Sequence, residues 1–283
     1  MTKVWLNGEL LDESQARISP FDRGLLLGDA IFETMRVYGG RPHALAGHLA
    51  RLRRSCEQTR IPYPEGIEGV LDEVIGANGI EEGQVRVTLT RGRGGRGASP
   101  RGAGPPTVLV TATPVHHPPE AYERGLRLVT STRRRIPDTS LPASIKSTNY
   151  LVHVLARIQA EEAGADDALF VDEDGMVVEA TQANVFAVLG GALVTPPLES
   201  GCLPGQTRAE VLALAHEAGL APAERALPAE ALLEAREVFL TASVLEVAPV
   251  IELDGVRIGD GRPGEITRKL HALYRQRAQA KAR

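Results

Sequence analysis

The stretch Pro114-Val-His-His-Pro-Pro-Glu120 is the feature that most limits how this 283-residue chain can fold. Its prolines remove backbone donors and push the residues before them out of the helical region, and no apolar period runs through it. A chain of this length suffices for two modest domains or one large one, and this break is the best linker candidate between two. The reading is a small N-terminal α/β domain over residues 1–115, a linker at 116–121 and a larger, β-rich α/β domain over 122–283. The fold class is therefore α/β (α+β).

Each side of the break repeats strand and helix signals. KVWLNGEL predicts a hairpin turning at Asn7-Gly8, and the apolar run from Ala30 to Val37 predicts a strand ending at Gly39-Gly40. Leu45, Leu49, Leu52 and Cys56 recur at helical spacing and predict a helix that ends near Arg60, before Pro62. Ile67, Val70, Leu71, Val74 and Ile75 predict a second helix, closed by Gly76 or Gly79. QVRVTLT alternates as a half-buried strand does, and TVLVTAT reads as a strand buried on both faces. Beyond the break, LRLVTS, DALFVD, MVVEA, NVFAVL, ALVTP and EVFLTA read as strands. Helices are expected from Tyr150 to Ala163, from Gln206 to Ala218 and from Glu265, with a hairpin through Asp254-Gly255.

Composition excludes several classes of function. A net charge of −4 gives no reason to expect nucleic acid or an anionic membrane as partner. No apolar run reaches the length of a spanning helix, and MTKVWLNGEL lacks the pattern of a secretory leader, so a cytoplasmic location is expected. Cys56 and Cys202 lack metal-ligand spacing and read as reduced thiols. Lysine occurs only at Lys3, Lys146, Lys269 and Lys281, so a lysine required by chemistry has few possible positions.

Three constellations bear on chemistry. Gly92-Arg-Gly94-Gly95-Arg-Gly97 formally matches a dinucleotide fingerprint, but ASPRGAGPP follows it and cannot begin the helix that a pyrophosphate needs. What remains is a flexible basic loop carrying Arg91, Arg93, Arg96 and Arg101, either solvated or lining a mouth for carboxylate substrates. Lys146, in SIKSTNYL, follows apolar Ile145 at the end of an extended segment. Partial desolvation there would favour the neutral amine that attacks an aldehyde. Finally, Glu179 ends an apolar strand, and Leu203-Pro204-Gly205-Gln206-Thr207-Arg208 runs a Pro-Gly turn directly into a helix whose first N–H groups suit a phosphate.

Taken in order, SPFDRGLLLGDAIFET, HLARL, IKSTNYL, EATQANVF, LPGQTR and FLTASVLEVAPV resemble the motifs of the class IV aminotransferases, pyridoxal 5′-phosphate (PLP) enzymes of fold type IV. That family includes branched-chain and D-amino acid aminotransferases, (R)-selective amine transaminases and 4-amino-4-deoxychorismate lyases. The resemblance covers essentially the whole chain. It implies that Lys146 bonds the cofactor as a Schiff base and shuttles the substrate proton, and that Glu179 pairs with the pyridine nitrogen. It also implies that Arg51, the backbone of Gln206 and Thr207, and the Ser243 hydroxyl hold the phosphate, while Tyr150 bonds the ring oxygen. The cofactor is expected between the two domains, in a homodimer. Gln206 departs from the family's usual Ile or Val. The family's YIRP-like strand is VRVTLTRG here, so no substrate-carboxylate site is evident.

The implied reaction moves an amino group between a D-amino acid, a branched-chain amino acid or an (R)-amine and a 2-oxo acid. The resemblance also admits a lyase releasing pyruvate and p-aminobenzoate, or a non-catalytic PLP-binding protein. Arg91 to Gly97 resembles a lyase loop, and Phe32-Glu-Thr34 is compatible with a threonine that some lyases use. Ser99-Pro100-Arg101 resembles the carboxylate-binding loop of D-amino acid transaminases. Phe32, Thr34, Arg91, Arg96 and Arg101 are therefore the candidate substrate contacts.

Overall fold

The computed structural model describes residues 1–95, 97–115 and 120–282. The chain forms two compact units: Met1–His116 with Ser144–Asn149 and Ala278–Arg283, and His117–Ala143 with Tyr150–Arg277. The expected linker lies largely outside the described residues.

In the first unit, β1 (Lys3–Leu6) and β2 (Glu9–Asp12) form the expected hairpin. Its turn places both Asn7 (φ 51°) and Gly8 (φ 105°) in the left-handed region, which is what Asn-Gly supplies most readily. There follow α1 (Arg23–Leu27), β3 (Ala30–Tyr38), β4 (Arg41–Pro42), α2 (Leu45–Thr59), α3 (Ile67–Ala77), β5 (Gly83–Thr90) and β6 (Thr107–Pro114). The six strands make one antiparallel sheet in the order β2-β1-β6-β5-β3-β4. Ile31, Met35 and Val37 of β3, with Val85, Val87 and Leu89 of β5, face Leu49, Leu52 and Cys56 of α2 and Leu71 and Val74 of α3. Fully burying side chains of this kind stabilises by about 1.5–3 kcal/mol each, which holds the helices to the sheet. β6 alternates buried and half-buried residues instead of being buried on both faces, because the helices cover one side of it.

The second unit contains α4 (Glu120–Arg124), β7 (Leu126–Thr130), α5 (Leu151–Glu162), β8 (Asp167–Val171), β9 (Val177–Ala180), β10 (Asn184–Leu189), β11 (Ala192–Thr195), α6 (Gln206–Glu217), β12 (Pro222–Glu224), β13 (Glu237–Ala242), β14 (Glu246–Leu253), β15 (Val256–Arg257) and α7 (Glu265–Ala282). Its mixed sheet runs β12-β11-β10-β13-β14-β7-β8-β9, with β15 on β14. One face packs Leu128, Leu169, Val185, Val238 and Leu240; another core gathers Phe186, Phe239 and Val247 with Val211 and Leu214 of α6 and Leu270 and Tyr274 of α7. Burial from both sides is why DALFV, NVFAVL and EVFLTA are apolar without alternation.

Two segments expected in the second domain fall in the first unit: residues 144–149, including Lys146, and residues 278–283. β3 pairs with β5 along one edge, and near its start the other edge takes the Lys146 segment. Phe32 N–H donates to Lys146 C=O at 2.9 Å, Thr148 N–H donates to Ala30 C=O at 3.0 Å, and Ile31 bridges Ser147.

Candidate active site

The backbone pairing that captures residues 146–148 sets the position of Lys146. Its Nζ lies 4.6 Å from the centroid of the Phe32 ring, and the Arg86 guanidinium carbon lies 3.7 Å from the same centroid. Phe32, itself buried, thus gathers two cations against one aromatic ring, an arrangement its negative faces favour. Thr34 is the register partner of Arg86 across the β3–β5 ladder and is half-buried. Arg86 Nε donates to Thr88 Oγ1 at 3.1 Å.

On the opposite face of β3, Glu33 points toward α2. Arg51 grips it in a fork, Nε to Oε1 at 2.6 Å and Nη2 to Oε2 at 2.7 Å, and His48 Nδ1 meets Oε2 at 2.7 Å. All three side chains are buried. Burial pushes the Glu33 carboxyl upward, but the Arg51 charge and the hydrogen bonds of Arg51 and His48 outweigh it and hold the group at about 2. Burial pushes His48 down, against the pull of Glu33, and the charges of Arg51 and Lys146 add to the lowering. His48 is therefore neutral near pH 7 and donates from Nδ1 to the carboxylate.

In the second unit, Glu179 is the penultimate residue of β9 and is buried. It accepts from Arg135 Nε through one oxygen and from Leu203 N–H at 2.9 Å through the other. Asn184 Nδ2 donates to Leu203 C=O at 2.9 Å, so two side chains hold the turn that precedes α6. Gly205 is the N-cap of α6 and offers no side-chain cap to the N–H groups that follow. A Cβ at Gly205 would stand 2.1 Å from Asn184 Oδ1, so glycine is needed for this close approach. Gln206 is half-buried and Thr207 buried at the helix start. Ser243 lies just past β13, whose Thr241 hydroxyl is buried without a hydrogen-bond partner among the described residues. Tyr150 caps α5 and stacks on His153 with centroids 4.6 Å apart; His153 Nδ1 reaches Thr181 C=O at 2.7 Å.

The basic loop departs from the reading of a free mouth. Arg91 is committed within the fold: Nε and Nη2 bond Asp29 at 2.8 and 3.0 Å, while Nη2 and Nη1 reach the carbonyls of Thr59 and Arg60. Burial pushes Asp29 up, but Arg91 and Arg23 prevail and lower it, keeping the clamp ionic. The buried Arg23 also collects the carbonyls of Gly97, Ala98 and Ser99, so the loop folds over a guanidinium. Arg101 is exposed on it, and Arg96 lies outside the described residues.

Sequence reasoning missed Glu33, His48, Arg86 and Arg135. His48 and Arg51 stand at i and i+3 on one helix face, and Glu33 interrupts an apolar strand; together these were the available signal. Nothing local distinguishes Arg135 from Arg133 and Arg134.

Residues 30–253 match the family model for amino-transferase class IV. The chain belongs to the class IV aminotransferases. A Methanocaldococcus jannaschii protein, provisionally named a branched-chain-amino-acid aminotransferase, is 41% identical over 96% of this chain and 95% of its own length. A Bacillus licheniformis D-alanine aminotransferase is 34% identical, covering 95% of this chain and 94% of its own. A solved T.th. branched-chain amino acid aminotransferase with pyridoxamine 5′-phosphate aligns at a TM-score of 0.93 with 31% identity, over 99% of this chain and 94% of that one. Class IV aminotransferases use PLP. Each unit, taken by itself, carries donor types that suit such a cofactor: the first an amine beside an aromatic ring, the second a buried carboxylate, a helix start without a side-chain cap and a buried hydroxyl that lacks a partner among the described residues.

Proposed function

We propose that this aminotransferase takes its amino group from an amino acid with a short or branched apolar side chain, and that Arg86 receives the carboxylate of a substrate. The observation that carries this reading is the shared ring: Lys146 Nζ and the Arg86 guanidinium both lie against Phe32, so a bound carboxylate and a reacting amine carbon would be neighbours. A guanidinium fork matches a carboxylate with two hydrogen bonds. An (R)-amine has no carboxylate for that guanidinium to receive. The names of the Methanocaldococcus and Bacillus relatives support apolar amino acids as donors.

Bound PLP supplies an aldehyde that captures the donor amine and a ring that takes up the electrons left when the α-proton departs. In our assignment Lys146 Nζ holds the cofactor and then carries that proton. Glu179 keeps a proton on the pyridine nitrogen, with Arg135 and Leu203 N–H fixing the carboxylate's orientation. Arg51, the backbone N–H groups of Gln206 and Thr207, and the Ser243 hydroxyl bind the phosphate; Tyr150 serves the ring oxygen. Thr34 and Arg101 are assigned to the substrate side.

The test is a scan of cofactor absorbance with D- and L-amino acids, (R)-amines and aminodeoxychorismate. Conversion to the pyridoxamine form by alanine, valine, leucine or isoleucine of one hand is expected. Arg86→Leu should raise KM for those donors by roughly tenfold or more, the scale of a lost charge-assisted pair. Conversion by (R)-amines alone, or release of p-aminobenzoate, would overturn the proposal.

A homodimer is part of the same reading. Phe21, Leu25, Leu26 and Leu27 are exposed around α1, and Leu151, Val154, Leu155 and Ile158 are exposed along α5. Apolar clusters of this kind are commonly covered by another subunit. Light scattering should give twice the mass of one chain, and Leu26→Glu should reduce it. A cytoplasmic location is supported by two unpaired, buried cysteines, whose thiols burial pushes up, Cys56 to about 12. Among the described residues no helix is long and apolar enough to cross a membrane.

A further inference from the structure

Position 33 is an improbable place for a carboxylate. Its neighbours on the same face of β3 are Ile31, Met35 and Val37, all in the core, and Glu33 is itself 0% exposed. A buried ion pair of this kind often adds no net stability over apolar residues of similar volume, so packing alone does not call for it. What the trio does supply is direction. A guanidinium is planar, and Arg51 meets Glu33 with its Nε–Nη2 edge. That fork fixes the plane and aims Nη1 away from the carboxylate. His48, one turn earlier on α2, bonds the same Oε2 that Nη2 uses, which stops the carboxylate from rotating.

We infer that Glu33 is a positioning residue for the cofactor's phosphate, holding Arg51 in one orientation, with His48 as the lock on Glu33. The inference rests on the assignment of Arg51 to the phosphate. It adds two side chains that touch the anion only through Arg51. The low titration of Glu33 and the neutrality of His48 agree with it, since the carboxylate then stays charged and the imidazole stays a donor.

The test uses cofactor-free full-length protein, titrated separately with PLP and with pyridoxal, which lacks the phosphate. Binding is read from chromophore absorbance, and the ratio of the two affinities is the diagnostic quantity. Arg51→Gln should collapse that ratio. Glu33→Gln keeps the shape and removes the charge. It should weaken PLP by roughly tenfold, the scale on which a partner behind a ligand-holding side chain acts, and leave pyridoxal unchanged. His48→Gln leaves the Glu33–Arg51 fork intact and should weaken PLP severalfold, again sparing pyridoxal; it decides the matter if Glu33→Gln does not fold. The phosphorus NMR resonance of bound PLP should shift in both variants. Equal weakening of PLP and pyridoxal would mean a purely structural role and overturn the inference. A normal ratio in Glu33→Gln and His48→Gln with a collapsed ratio in Arg51→Gln would overturn it while keeping Arg51 on the phosphate. An unchanged ratio in Arg51→Gln would remove the assignment of Arg51 and the inference with it.

Discussion

In our assignment the two units grip an anion in different ways. In the first, the donor is a side chain: Arg51 is set by a buried carboxylate and an imidazole, three residues whose identities all matter. In the second, the donors are backbone N–H groups at the start of α6, shaped by Gly205 and by the bonds from Asn184 and Glu179 around Leu203. A side-chain grip is strong because it carries full charge, and fragile because one substitution removes it. A backbone grip is weaker per donor but indifferent to the side chains it carries.

Substitutions test that contrast from its strongest point downward. Lys146→Ala removes the amine to which we assign the cofactor bond and the proton transfer; activity should fall below detection while thermal unfolding changes little. Wild-type turnover in that variant would displace Lys146 from its assigned role. Glu179→Gln should keep the cofactor but lower kcat by about 100-fold or more, because a neutral amide cannot hold the ring proton. Spectra and turnover measured on the same sample separate the two effects.

The ionic grip also predicts an acid dependence. Glu33 titrates at about 2, below its ordinary 4.5, so folding favours its charged form. The stabilisation is complete above 4.5 and is lost as pH falls from there through about 2, on the order of 3 kcal/mol in all. Urea unfolding between pH 6 and 2.5 should show this slope in the wild type and a flatter one in Glu33→Gln. Identical slopes would mean that the carboxylate is not held as described. Gly205→Ala comes next: it drives a methyl group into Asn184 and should weaken PLP severalfold by displacing the turn. The smallest effect belongs to Gln206→Val, which alters only a side chain at a helix start and should leave PLP affinity within about twofold. A large loss there would show that the α6 site is not a backbone grip.

Most elements were legible because their burial is simple. In the first unit the sheet is covered by helices on one face, so β5 alternates and α2 shows its apolar stripe. In the second, strands covered on both sides lose alternation, and length with turn residues marked them instead. TVLVTAT was misread for the same reason in reverse: an apolar run suggested two buried faces where Leu109 and Thr111 are only half-buried. The sequence offers candidates for the site where the proposed chemistry demands a residue type, as at Lys146 and Glu179. It is illegible where a role depends on what lies opposite. Arg91 and Arg86 stand on one strand or just past it, yet Asp29 claims the first while Phe32 stacks the second.

The sequence by itself determined the elements, the need for glycine and proline at turns, and a scarce lysine followed by a helix, because these follow from local backbone preference and residue chemistry. Only the tertiary structure decided that the Lys146 segment joins the edge of β3, that Glu33 faces α2, and which of many guanidiniums are tied down. Those outcomes depend on contacts between residues far apart in the chain, where a charge acquires its meaning from the partner that desolvation forces it to find.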